Sequence, residues 1–170
     1  MKQSASSRDK TCLGQWHEQI GLRSAEIVDG KLKLVLNNTL AAVEDGRRAV
    51  IQFVGSLDSM VQNRLEVVFE ELVSNTVRHG FYSNSEQSIH VQVERGTHMI
   101  ELTFEDDGLP FNPTNVDVSA RLAGAELRNG GLGIPLIVKL SSSLRYEQLI
   151  PRGGCEGFHP CNRTTVSVDT

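Results

Sequence analysis

Residues 58–80 constrain this chain more than any other stretch. Val61, Leu65, Val68, Phe69, Leu72, Val73 and Thr76 recur at three- and four-residue spacing, the pattern of an amphipathic helix that buries one stripe in a core. Asp58 or Ser59 starts this helix and Gly80 ends it as a C-terminal cap. At about 100° per residue, Glu71, Asn75 and His79 form a rib that drifts from the flank of the stripe into its edge, while Glu70 and Ser74 point elsewhere. A carboxylate and a carboxamide one turn apart, beside apolar walls, can hold a metal-bound water and a proton acceptor in one small volume. The same pair serves equally as a hydrogen-bonded couple at the rim of the core, with Arg78 and His79 as polar residues favoured by the helix dipole. The rest of the chain decides between them.

A length of 170 residues fits a single domain large enough to bury most of its apolar surface without staples. A net charge of −4 with no run of like charge does not suggest nucleic-acid binding. Met1 to Lys10 is polar and no segment approaches ~20 apolar residues. Neither a signal peptide nor a membrane span is therefore expected, and a cytoplasmic location is. The odd count of cysteines, Cys12, Cys155 and Cys161, fits reduced thiols. Cys155, His159 and Cys161 lie at a spacing wider than a zinc ligand pair and lack a fourth partner, so residues 151–160 read as a loop insertion.

Along the chain, residues 1–30 are weakly patterned, with Trp16, Ile20, Leu22 and Ile27 as the only anchors, and read as an N-terminal extension to one domain spanning 31–170. Leu32, Leu34 and Leu36 alternate as in a half-buried edge strand. A helix begins at Thr39, a candidate N-cap, and carries Gly46 as a weak point or break. Ile89, Val91 and Val93 mark a strand that turns through residues 95–98 into another, where Ile100, Leu102 and Phe104 share a face. Two further strands, 144–149 and 164–168, close the chain.

Asp106 continues the inward row of Phe104, where an unpaired charge costs several kcal/mol, so it requires a partner. Gly108 follows, and Leu109-Pro110-Phe111-Asn112-Pro113 keeps the chain off helix and sheet. A buried acid that accepts from an exocyclic amine, beside a glycine that lets a flat ring approach the backbone, suits adenine; the Asp-Gly pair is equally an ordinary turn. Gly130, Gly131, Leu132 and Gly133 then open an apolar helix with Pro135 in its first turn. Free N–H groups made accessible by glycine form an anion site suited to a triphosphate, although the segment is neither a P-loop nor a dinucleotide fingerprint and serves equally as a plain glycine-rich loop.

In order, Glu71-x-x-x-Asn75-x-x-Arg78-His79-Gly80, Asp106-x-Gly108-x-Pro110-Phe111-x-Pro113 and Gly130-Gly131-Leu132-Gly133-Ile134-x-Leu136-Ile137 resemble the three boxes of the histidine-kinase-like ATPase superfamily. The short chain without a phosphorylatable-histidine domain is similar to its anti-sigma-factor serine/threonine kinase branch. This resemblance covers roughly residues 31–149 and 162–169. It implies an α/β (α+β) two-layer sandwich, a mixed, mostly antiparallel sheet with helices on one face. It implies that ATP binds with Mg²⁺, that Glu71 is the general base and that Asn75 holds the metal. Asp106 with Gly108, Pro110 and Phe111 would take the adenine, and Gly130 to Gly133 would face the phosphates beneath a lid at residues 112–129. Arg78 and His79 would lie near phosphate or base.

The implied function is sequestration of a sigma factor or similar regulator of transcription, with phosphorylation of an anti-sigma-factor antagonist on serine or threonine, by a homodimer. The alternative is an ATP-gated binding module that transfers nothing. Glu71 favours the kinase, because a pure binder has no need of a base four residues before Asn75. The extension at 1–30 and the insertion at 151–160 depart from the family pattern without touching a nucleotide box.

Overall fold

The computed structural model describes residues 20–81, 87–116, 132–149 and 161–170. Six strands form one sheet in the order β1-β2-β3-β4-β6-β5, where β1 is Leu22–Val28, β2 Lys31–Asn37, β3 Ser88–Arg95, β4 Met99–Asp106, β5 Ser143–Leu149 and β6 Cys161–Asp169. Helices α1 (Ala41–Val54), α2 (Ser59–His79) and α3 (Gly133–Leu140) accompany it, with a 3₁₀ turn at Pro113–Asn115. The sheet was expected to be mixed and mostly antiparallel, and every described pairing is antiparallel. Strands β4 and β5 do run in the same direction, but β6 inserts between them and pairs antiparallel with both.

The first strand falls inside the segment read as an extension. Asp29 and Gly30 both have positive φ, 51° and 74°, which matches the handedness of a two-residue hairpin and folds β1 back on β2. A register shift between Leu22 and Ser24 breaks the alternation of β1 and hides it from a search for period two. As a result β2, expected at an edge, lies between β1 and β3.

One face of the sheet is apolar. Leu32, Leu34 and Leu36, then Ile89, Val91 and Val93, then Ile100, Leu102 and Phe104, then Val166 and Val168 are buried in a single core with α1, α2 and α3. On the other face the alternate residues form ion pairs such as Arg145 with Glu101 at 3.0 Å and Arg163 with Glu105 at 2.6 Å. Their exposure makes each worth little to stability.

Helix α2 is the long central helix. Its N-cap is Asp58, whose Oδ1 accepts from the Met60 N–H at 2.8 Å, and Asp58→Ala is expected to cost about 1 kcal/mol, read as a lower urea midpoint at unchanged slope. The expected stripe is buried from Val61 to Val73, and Ser74 is buried with it. The Ser74 hydroxyl turns back to the Glu71 carbonyl at 3.4 Å. Thr76, assigned to the stripe, is only half-buried, and its hydroxyl bonds the Leu72 carbonyl at 3.1 Å. Helix α1 differs from expectation twice. Its N-cap position is Leu40 rather than Thr39, whose buried hydroxyl has no partner among the described residues. Gly46 does not break it: a side chain there would press on the Phe69 ring and Leu36, so glycine lets α1 lie close against α2.

The rings of Phe69 and Phe104 meet at 5.8 Å and 51°. This contact joins α2 to β4 two residues before each delivers its acid, Glu71 on the helix and Asp106 on the strand.

Candidate functional site

The site has two halves, both built on α2. In the first, Glu71 and Asn75, one turn apart and half-buried, lie against the first residue of α3. A Cβ on Gly133 would collide with Glu71 Oε2 and would stand 3.1 Å from Asn75 Nδ2. Glycine at the helix start thus leaves room for a carboxylate and a carboxamide from the neighbouring helix. Leu132, at the N-cap of α3, makes no side-chain cap bond, so no side chain of that residue occupies the first-turn N–H groups. Burial raises the Glu71 carboxyl above its ordinary range, the neighbouring Glu70 adds to this, and Arg78 opposes it.

The second half stands where β4 ends. Asp106, half-buried, accepts at Oδ1 from the Gly108 N–H at 3.0 Å and from Asn162 Nδ2 at 2.9 Å. Burial raises its carboxyl most, these two bonds lower it, and Asp107 raises it further. Its partner is therefore an amide rather than a cation. The following turn is tied to α2: the Leu109 N–H bonds the Gly80 carbonyl at 2.6 Å, and any Cβ on Gly108 would strike that same carbonyl. Glycine at 108 is what allows this close approach.

The two halves are thus set apart by α2 itself. Gly80 lies nine positions beyond Glu71, a rise of about 13 Å along the axis.

Of the remaining expected site residues, Arg78 and His79 are exposed in the last turn of α2, where cations suit the helix dipole. Pro110 is exposed, and so is Phe111 at 53 %. Leu132 is 42 % exposed beside Gly133. Gly130 and Gly131 lie outside the described residues, as do 117–129 of the expected lid and the loop at 151–160.

Two residues were missed. Asn162 is 5 % exposed on β6 directly opposite Asp106, and Tyr146 on β5 donates its hydroxyl to Asn162 Oδ1 at 2.7 Å. A signal was present: Asn162 continues the inward row of Val168, Val166 and Thr164, as Asp106 continues that of Phe104. A polar residue at the end of each of two core rows calls for pairing.

Among the described residues no three His, Cys, Asp or Glu side chains group to hold a metal, and no helix is long and apolar enough to cross a membrane. The donors at the first half are one carboxylate and one carboxamide oxygen. This set fits Mg²⁺, which takes few protein ligands and completes its shell with phosphate and water.

Comparison with known proteins places these features in a family. The model of the histidine kinase-like ATPase domain matches residues 36–155, more than half of the chain. Anti-sigma F factors of Bacillus thuringiensis (strain Al Hakam) and Bacillus mycoides (strain KBAB4) are each 28 % identical over 94 residues, 54 % of this chain and 64 % of the relative. The matched region thus spans less than two thirds of these relatives' length. The histidine kinase domain from the Erythrobacter litoralis EL346 blue-light activated histidine kinase is similar over 77 % of this chain and 61 % of its own, at 15 % identity and a TM-score of 0.42. By the family match, and with the three boxes in order, the chain belongs to the histidine kinase-like ATPase domain family.

Proposed function

We propose that the chain binds ATP with Mg²⁺ along α2 and acts as an anti-sigma-factor-type regulator, phosphorylating a serine or threonine of an antagonist protein while holding a sigma factor or similar regulator. The observation that carries this reading is the C-terminal half of one helix, with one ligand-ready group along its flank and another at its end. Glu71 and Asn75 face Gly133 along the flank, and Gly80, which caps the helix, is locked to the Asp106–Leu109 turn. Adenine at Asp106 would leave the phosphates to reach the start of α3, where Leu132 makes no side-chain cap bond. Asn75 would hold the metal, which when bound neutralises phosphate charge, and Glu71 would take the proton from the acceptor hydroxyl. Arg78 and His79 lie at the same helix end as the base site, and Pro110 and Phe111 flank the Asp106 turn. Residues 112–129 are the proposed lid, and Gly130 to Gly133 would face the phosphates beneath it. The similarity to anti-sigma F factors supports the sigma-factor and antagonist partners, and the regulator is proposed to be a cytoplasmic homodimer.

Calorimetric titration of ATP with Mg²⁺, beside GTP and beside Asp106→Asn, tests this reading. ATP is expected to bind, GTP to bind far more weakly, and the variant to lose about tenfold to a hundredfold in affinity, the effect of one charge-assisted hydrogen bond. Stability is expected to move the other way. The Asp106 carboxyl is raised in the fold, so the fold favours its protonated form and loses that contribution as pH rises through the folded pKa. Removing the charge is therefore expected to leave the free protein at least as stable at neutral pH. If the folded wild type binds neither nucleotide, the proposal fails. If it binds ATP and transfers nothing to any acceptor, the chain is an ATP-gated binding module.

A further inference from the structure

We infer that Asn162 and Tyr146 form a positioning relay that presents one oxygen of Asp106 to an exocyclic amine and thereby sets a preference for adenine over guanine nucleotides. This rests on the nucleotide reading above and goes beyond it, because neither residue belongs to the three boxes.

The relay has a fixed direction. Asn162 Nδ2 lies 2.9 Å from Asp106 Oδ1, 3.0 Å from the Leu109 carbonyl and 3.3 Å from the Gly108 carbonyl. Three acceptors on one side settle which end of the amide carries the hydrogens. Asn162 Oδ1 must then accept, so the Tyr146 hydroxyl, 2.7 Å away, donates. The Phe111 backbone in turn bonds the phenol oxygen. Every donor in this chain points toward Asp106, and its members come from β4, β5, β6 and the turn after β4.

The consequence falls on one atom. Oδ1 of Asp106 receives both the Gly108 N–H and the Asn162 amide, whereas among the described residues no hydrogen bond engages Oδ2. As a carboxylate, Oδ2 accepts from the amine of adenine and opposes the carbonyl that guanine carries in its place. Protonated at Oδ2, the acid becomes a donor and that discrimination is lost. Which state prevails depends on the surroundings. Burial and Asp107 favour the neutral acid, and the Asn162 and Gly108 donors oppose them. Tyr146 and Cys161, each raised chiefly by burial and further by Asp106 itself, face the acid as neutral groups. Arg78 and His79 on α2 are turned to solvent. Loss of the Asn162 donor therefore moves the Asp106 titration upward.

Titrations of Mg-ATP and Mg-GTP into wild type, Asn162→Leu and Tyr146→Phe, from pH about 5.5 to about 8.5 with thermal melts alongside, test the relay. Wild type is expected to favour ATP by tenfold or more near neutral pH, with the ratio falling on acidification. Asn162→Leu is expected to bring the ratio toward one and to move the fall to higher pH. Tyr146→Phe, which removes only the hydroxyl, is expected to lie between them, and it decides the matter if the leucine variant does not fold. Folded variants that keep both the ratio and the pH of its fall overturn the relay. So does an equal loss for both nucleotides at every pH, the mark of a merely structural role. A wild type that binds neither nucleotide overturns the nucleotide reading first, and the relay with it.

Discussion

Glu71→Gln is expected to reduce phosphoryl transfer by about 10²–10⁴-fold while leaving ATP affinity nearly unchanged. Glutamine keeps the shape and the hydrogen-bonding reach of the side chain at the rim of α2 but cannot take a proton. The surroundings of Glu71 suit a proton acceptor. Burial and Glu70 raise its carboxyl, which makes it a stronger base than an exposed glutamate, while Arg78 restrains the shift. A base acts only when ionised, so transfer is expected to rise with pH through a midpoint above the ordinary glutamate range. Stability has the opposite sign. A carboxyl raised in the fold contributes stability that is complete below its unfolded pKa and lost as pH rises through the folded one. Near neutral pH the glutamine variant is therefore expected to melt no lower than wild type. Transfer of labelled γ-phosphate to an acceptor of the anti-sigma-antagonist type, with calorimetry on the same samples, checks this. Undiminished transfer would sink the role of Glu71 as base.

The second large effect is expected at Gly133. Substitution by alanine should weaken Mg-ATP binding tenfold or more without unfolding the protein. The added Cβ would collide with Glu71 Oε2 and stand 3.1 Å from Asn75 Nδ2. Relief is available only if these two side chains move, and they are the groups proposed for proton and metal. The loss is separable from folding, because Glu71 Oε2 and Asn75 Nδ2 are the ends of flexible, half-buried side chains that can give way without unfolding the core. The expected signature is a melting temperature near that of wild type with a weakened titration. Wild-type affinity for the nucleotide in a folded variant would show that Gly133 is only a packing position.

Both effects concern residues legible before the structure, and the reason is local. Glu71 and Asn75 sit one turn apart, and helical geometry alone puts them on one rib. Asp106 ends an alternating row, so its inward side follows from strand periodicity. Gly133 opens an apolar helix, and the resemblance to a family follows from the order of the boxes. The main elements were readable for the same reason: α2 from Asp58 to Gly80, the β3–β4 hairpin and the strands that close the chain each carry their own period and punctuation.

What sequence alone did not determine depends on contacts between distant segments. Strand β1 was obscured by a bulge, and its place beside β2 depends on the Asp29-Gly30 turn more than on its own pattern. Gly46 looked like a helix breaker because its reason lies on another helix, in the ring of Phe69. Ser74 is polar and was placed off the rib of Glu71, Asn75 and His79 by helical angle, yet tertiary packing buries it. Asn162 stands 56 residues from Asp106, and only the pairing of β6 with β4 brings the amide to the acid. Local periodicity determined which residues face inward, because it follows from backbone geometry. Only the fold decided which inward polar groups meet, because the cost of a buried unpaired charge is met by a partner whose distance along the chain no period encodes.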